Sequence, residues 1–235
     1  METLEMKNVS IVLRSDMKVN GKENGQETSD RILKAAHELF YSYGIRSITM
    51  DDIARHLSIS KKTIYLFFND KHQIVEEACR RDLDSHTEKI HQIAKNAKDA
   101  IIEILNTMDF LGDMFSKMNP NLIYDLQKYH PAAWDHFHIF REQQLLGAVE
   151  ANLKKGIKQG LYRADLNVRI LAKLRIEEVQ LGMNPTIFAP TKFNLQEVQL
   201  TLLEHFLYGI LTIEGIKLLG SYNRQYKIKK PKIIA

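Results

Sequence analysis

Apolar side chains recur along most of this chain at three- and four-residue intervals, the period of a helix packed on one side. The first stripe is Ile32, Leu33, Ala35, Ala36, Leu39 and Phe40. It predicts a helix that opens at Thr28 or Ser29, either of which can cap it, with Asp30 near its positive end. Gly44 closes that helix as a left-handed residue past the last turn. A short second helix follows Thr49, with Asp51 and Asp52 in its first turn and Ile53, Ala54 and Leu57 as its apolar face. Ser58-Ile59-Ser60 is a tight break, and a third helix is predicted over Lys61–Phe68 with Ser60 as its cap. Asn69-Asp70 breaks the chain again, and Lys71 opens a long helix running to about Ile93.

The same periodicity predicts amphipathic segments over 99–118, 121–129, 131–160 and 167–182, and a last helix over 194–219. Asn119-Pro120, Pro131, Leu161-Tyr162-Arg163 and the loop from Pro185 to Pro190 separate them. With 11 glycines and 5 prolines there is little turn chemistry for a many-stranded sheet, so the expected fold class is all-α.

Residues 1–26 are expected to form a disordered arm, since KVNGKENGQETSD, which begins at Lys18, has too few apolar side chains to offset its ordering entropy. Met17 is an alternative start to Met1. Past Glu214 the chain has no acidic residue, and Lys217, Arg224, Lys227, Lys229, Lys230 and Lys232 make it basic. Residues 223–235 are read as a basic tail, either solvated or in contact with a polyanion.

Composition narrows the function. Hydrophobic residues make up 44% and charged residues 26%, as in an ordinary globular protein. No apolar run approaches the roughly 20 residues of a membrane helix, and METLEMKNVS lacks the apolar core of a secretory signal. A single cysteine, Cys79, builds no internal disulfide and suits a reducing cytoplasm, where its default role is a small buried apolar side chain. The net charge of +4 permits a nucleic-acid partner without arguing for one. There is no Gly-rich phosphate loop, GxSxG, HExxH or cysteine cluster, so neither an enzyme nor a cofactor is expected. His136 and His138 are two apart and do not share a helix face, and His86 and His91 are as poorly spaced, so no metal site is expected.

The informative stretch is Thr49 to Lys71, TMDDIARHLSISKKTIYLFFNDK. Two short helices behind a longer supporting one make a helix-turn-helix, with the motif at 49–68. The N-terminal end of the second short helix is what enters a DNA major groove, and Lys61, Lys62 and Thr63 crowd that end after Ser60. Tyr65 can reach the sugar-phosphate wall, and Thr49 and Lys71 stand at helix starts, where amide groups favour phosphate. Ile64, Phe67 and Phe68 are placed to pack back on the first helix.

These residues are similar to the DNA-binding domain of TetR-family repressors. The resemblance is carried by Arg31-Ile32-Leu33, Ala35-Ala36, Leu39-Phe40, Gly44, Thr49, Ile53-Ala54, Ile59 through Tyr65, Phe68 and Lys71, in order and with matching gaps. Ser58 and Lys62 stand where the family often has glycine, and Phe67 where it has His or Tyr. Those departures bear on the operator sequence rather than on the binding mode. The resemblance implies a helical C-terminal domain that dimerises through its last two long helices and senses a small molecule or a partner.

Residues 27–86 are therefore expected to form a helix-turn-helix domain and residues 87–222 a regulatory and dimerisation bundle. Tyr124, Tyr129, Trp134, Phe137 and Phe140 cluster in sequence, either lining an apolar ligand cavity or packing as core. Leu203, Phe206, Leu207 and Ile210 spread over more than one stripe of the last helix. Such a helix is covered on one side by its own domain and on the other by a twin subunit, or it is the central helix of a monomer. Gly209 would let a second helix approach closely. The expected protein is a cytoplasmic homodimeric repressor of a pseudo-palindromic DNA site, released by a small-molecule effector acting through the long helix from Lys71. The alternative is an activator or a regulator working through a protein partner.

Overall fold

The computed structural model describes residues 25–119 and 121–222, and every regular element among them is helical. The basic tail and all but the last two residues of the expected arm lie outside the described residues. Helix α1 covers 25–43. It is already helical at residue 25, ahead of the expected caps Thr28 and Ser29, and Gln26 Nε2 donates to Asp30 Oδ1 at 3.0 Å within that turn. Gly44 follows it at φ 82°, the left-handed conformation that closes the helix.

Helix α2, Met50–Leu57, begins in a reciprocal capping box. The Thr49 hydroxyl accepts from the Asp52 amide at 3.2 Å, and the Thr49 amide donates to the Asp52 carboxylate at 2.9 Å. Helix α3 spans only Lys61–Tyr65, and Leu66-Phe67 is a turn rather than its continuation. That turn folds Phe68 into the core at 4% exposure, while Ile64 of α3 is fully buried. Phe67 is half-buried, and its ring would meet a methyl group on Gly25 at 3.8 Å. Helix α4, Lys71–Asn96, is capped by Asp70, whose carboxylate accepts from the Gln73 amide at 2.9 Å.

The chain divides into two compact units between Ala78 and Cys79, within α4. A boundary after residue 86 lies about two turns further along the same helix. The first unit buries Ile32, Leu33, Ala36, Phe40, Ile53, Ile64, Phe68, Ile74 and Val75.

The second unit continues with α5 (Ala100–Lys117), α6 (Leu122–Tyr129) and α7 (Pro131–Ile139). A π-helical stretch, Phe140–Leu145, then leads without a break into α8 (Leu146–Lys158). It ends with α9 (Val168–Gly182), α10 (Leu195–Ile210) and α11 (Ile213–Tyr222). Asp99, Asn167 and Asn194 cap α5, α9 and α10 through their side chains.

The helix expected over 194–219 breaks at Leu211-Thr212. The turn after α8 captures that backbone: the Arg163 amide donates to the Ile210 carbonyl, and the Thr212 amide to the Leu161 carbonyl, both at 2.9 Å. The Thr212 hydroxyl oxygen then accepts from the Gly215 amide at 3.1 Å and starts α11. Tyr162 of this turn is 1% exposed, with its hydroxyl 3.0 Å from Asn152 Oδ1 and 3.1 Å from the Ala100 carbonyl oxygen. Burial pushes its pKa up, so it stays a neutral hydrogen-bonding phenol. Gly156 is a close approach: a Cβ there would fall 2.1 Å from the Tyr162 ring.

The core of this unit joins Ile101, Leu105, Leu153, Tyr162, Leu203, Phe206, Leu207, Ile210 and Leu219. That corrects the expectation of a dimer face on α10. Leu203, Phe206, Leu207 and Ile210 are 1%, 4%, 0% and 1% exposed within their own unit, so none offers surface to a second copy. Their spread over more than one stripe reflects α10 as a central helix, packed on both α5 and α9.

Candidate nucleic-acid interface and regulatory cavity

The turn between α2 and α3 fixes how the candidate DNA-reading residues are shown. Ser58 adopts φ 56°, ψ 37°, a left-handed conformation, and its amide closes α2 on the Ala54 and Arg55 carbonyls. Two residues later the Ser60 hydroxyl accepts from the Thr63 amide at 3.0 Å and stands 2.8 Å from the Thr63 hydroxyl. Ser60 and half-buried Thr63 therefore cap α3, and their hydroxyls are already engaged. Thr49 is engaged likewise, its hydroxyl donating to Asp52 Oδ2 at 2.6 Å. These bonds hold the Asp52 carboxyl below its ordinary pKa.

What faces solvent from α3 is Lys61, Lys62 and Tyr65. Tyr65 is 48% exposed. Lys61 Nζ lies 2.9 Å from Asp51 Oδ2, and that bond raises its pKa and keeps it cationic. Lys62 has no side-chain partner among the described residues, so its ammonium is available to an incoming anion. Lys71 is half-buried at the first position of α4. Leu66, beside Tyr65, is also displayed on this face of the unit, at 73% exposure. The signal for it was the run Leu66-Phe67-Phe68, since three consecutive apolar residues cannot all face one core.

The second unit holds a cavity of about 280 Å³. Its wall is built by α4, α5, the π-helical stretch, α8, α9 and α10, with Ile104, Met108, Leu111, Leu145, Val149, Ile176, Val179 and Phe206 as the apolar lining. None of Tyr124, Tyr129, Trp134, Phe137 and Phe140 lines it, which corrects the expectation of an aromatic ligand site. Tyr124 is 43% exposed, and its hydroxyl accepts from Lys128 at 2.8 Å. The Lys128 ammonium also lies 5.4 Å from the Tyr129 ring centre. Trp134 stacks on Phe137 at 5.3 Å, and Phe140 is buried beside a smaller cavity of about 150 Å³. These rings cover α6 and α7 as packing and surface pairs rather than enclosing one space.

Cys79 is half-buried, its Sγ 3.6 Å from the Ala133 carbonyl oxygen, and burial pushes the thiol pKa up to about 12. Among the described residues no group of three or more His, Cys, Asp or Glu side chains is placed to hold a metal ion. No helix among them is long and apolar enough to cross a membrane.

A capped helix pair with lysines and a tyrosine exposed on the second member, followed by a separate helical bundle, has the arrangement of a helix-turn-helix DNA-binding protein. The family profile described as "Bacterial regulatory proteins, tetR family" matches residues 32–78. The HTH-type transcriptional regulator YvaF of Bacillus subtilis is 25% identical over 185 residues, which is 78% of this chain and 96% of that one. An HTH-type transcriptional regulator of Staphylococcus aureus is 38% identical over 77 residues, covering 33% of this chain and 40% of its own. The crystal structure of a TetR-family regulator from Agrobacterium tumefaciens superposes with a TM-score of 0.66 at 17% identity, over 80% of this chain and all of that one. Residues 32–78 thus carry the DNA-binding domain of the tetR family of bacterial regulatory proteins.

Proposed function

We propose that the protein is a repressor that binds a pseudo-palindromic DNA operator as a homodimer and is released by a small-molecule effector. The observation that carries this reading is the outward display of Lys61, Lys62 and Tyr65 on a short helix whose caps are already satisfied. Lys61 and Lys62 approach base edges, with Asp51 giving up Lys61 as phosphate and bases come near. Tyr65, Thr49, Ser60, Thr63 and Lys71 set the register on the backbone. Ser60 and Thr63 contribute mainly by aiming α3, and the amide groups at the starts of α2 and α4 favour phosphate.

The dimer face in this reading lies on α9. Ile170, Leu174 and Leu181 are 63%, 48% and 43% exposed and fall at i, i+4 and i+11 on one side of the helix. Leu200 of α10, a helix that packs on α9, is also exposed, at 38%. A two-fold pair of such faces gives two recognition helices, to be set about 34–36 Å apart to read successive major-groove turns. The effector occupies the cavity and acts only through its different affinity for DNA-competent and DNA-incompetent arrangements. Helix α4 supplies residues to both units and is the proposed lever.

Selection of genomic fragments by the purified protein tests the operator reading. Recovery of a shared sequence with two inverted half-sites supports it, and recovery of random fragments contradicts it. Sedimentation of a Leu174→Glu variant tests the face: the reading expects a helical monomer with weakened operator binding, and an unchanged dimer rules the α9 stripe out.

A further inference from the structure

A guanidinium sits in the wall of the otherwise mostly aliphatic cavity. Arg175 of α9 is 3% exposed. Its Nη1 lies 3.4 Å from Glu178 Oε2, its Nη2 lies 3.6 Å from Met108 Sδ, and its central carbon lies 5.8 Å from the Phe206 ring centre. A guanidinium carries five N–H donors, and a strong charge-assisted bond to carboxylate is about 2.7–2.9 Å long. Arg175 therefore holds a buried charge whose donors are weakly answered, and its desolvation pulls its pKa below the ordinary arginine value. Burying a cation this way is costly, and an apolar side chain of similar volume would fill the wall more cheaply. The other charge in the wall, Glu103, is already met by Lys155 Nζ at 2.6 Å.

The space in front of Arg175 is also built rather than left over. The π-helical stretch widens the helix beside the cavity, and Gly147, Ala148 and Ala151 of α8 keep side chains out of it. At about 280 Å³ it is near the lower end of ligand pockets, which run from roughly 300 to 1,000 Å³. We propose that this cavity takes a small amphipathic carboxylate, its apolar body in the aliphatic space and its carboxylate accepting from Arg175. The assignment deepens the effector reading above and rests on it. The bound carboxylate supplies the short hydrogen bonds that Glu178 and Met108 do not.

Calorimetric titration of the full chain with decanoate and with decanol tests it, since the two share a ten-carbon body and differ in the head group. The expected result is one saturable decanoate site per chain, with decanol weaker by roughly tenfold to a hundredfold, the worth of a hydrogen bond to a charged group. Arg175→Met, alone and paired with Glu178→Gln to keep the charges balanced, is expected to erase that preference with the helical melting transition retained. If the variants do not fold, the wild-type preference for decanoate over decanol still decides. Equal binding of both probes, a carboxylate preference that survives in the folded variants, or no binding of either overturns the carboxylate assignment. Operator release measured in the same series separates the two readings. Release by decanol as well as decanoate leaves the effector reading standing and removes the carboxylate assignment. Arg175-dependent decanoate binding without any change in DNA affinity keeps the carboxylate site and removes the effector reading.

Discussion

The two units carry their chemistry on opposite sides of their surfaces. Helix α3 has five residues, buries one of them, Ile64, and shows Lys61, Lys62 and Tyr65 to solvent. The C-terminal unit turns its charged wall residues inward, with Arg175 and Glu103 buried at the cavity and Lys155 held against Glu103. A surface that must meet a polyanion needs cations in water, where desolvation costs little. A pocket that must select one small molecule needs a few polar groups in an apolar wall, where each hydrogen bond discriminates strongly. The first design is held by local caps, the second by packing between distant helices. Mutations should separate the two.

The largest effect is expected at the tightest approach in the C-terminal unit. Gly156→Ala drives a methyl group into the Tyr162 ring, and overpacking of this kind costs about 3 kcal/mol. Chemical denaturation followed by circular dichroism should show the loss, and an unchanged midpoint would mean that Tyr162 moves aside freely. In the N-terminal unit the caps are the weak points. Thr49→Ala removes the hydroxyl that accepts from the Asp52 amide, leaves the residue-49 amide to Asp52 in place, and should cost about 1 kcal/mol. Ser58→Gly relieves a left-handed non-glycine residue at φ 56°, so a gain of up to about 1 kcal/mol is expected once glycine's own entropy cost is subtracted. A melting temperature that falls in the glycine variant would show that the Ser58 side chain does more than tolerate its backbone.

The smallest effect is chemical. Burial raises the Cys79 pKa from 9.0 to about 12, so the thiol stays protonated at neutral pH and should react slowly with iodoacetamide until the chain unfolds. The sign for stability follows. A group whose folded pKa is raised contributes in full below pH 9 and loses that contribution as pH climbs toward 12. Fast labelling of the native protein at pH 7 would place Cys79 in a solvent-open site instead.

The N-terminal unit was the more legible because its determinants are close in sequence. Thr49 with Asp52, Ser60 with Thr63 and Gly44 after α1 are pairings within a turn, and each forms where the residue types demand it. The end of α3 was less legible, since Leu66-Phe67 leave the helix so that Phe68 can reach the core. In the C-terminal unit the all-helical content and most boundaries followed from periodicity. The break at Leu211-Thr212 did not, because it depends on a turn some fifty residues earlier that binds the backbone there. Apolar breadth in α10 could not say whether its second side meets α5 and α9 or another subunit. The aromatic run from Tyr124 to Phe140 misled for a related reason. A cavity is defined by where side chains are small, as at Gly147 and Ala148, and here by a buried guanidinium in its wall, Arg175. Neither stands out in a linear pattern.

The central claim is that α3 is a DNA reader, and the most direct measurement is binding to DNA from the region upstream of the protein's own gene, against random competitor, over a salt series. The account predicts competitor-resistant binding whose affinity falls as salt rises. It predicts that Lys61→Ala/Tyr65→Ala abolishes the sequence preference and that Lys62→Ala weakens binding to the preferred site more than binding to random DNA. Specific binding that survives the double substitution in a folded protein would contradict it.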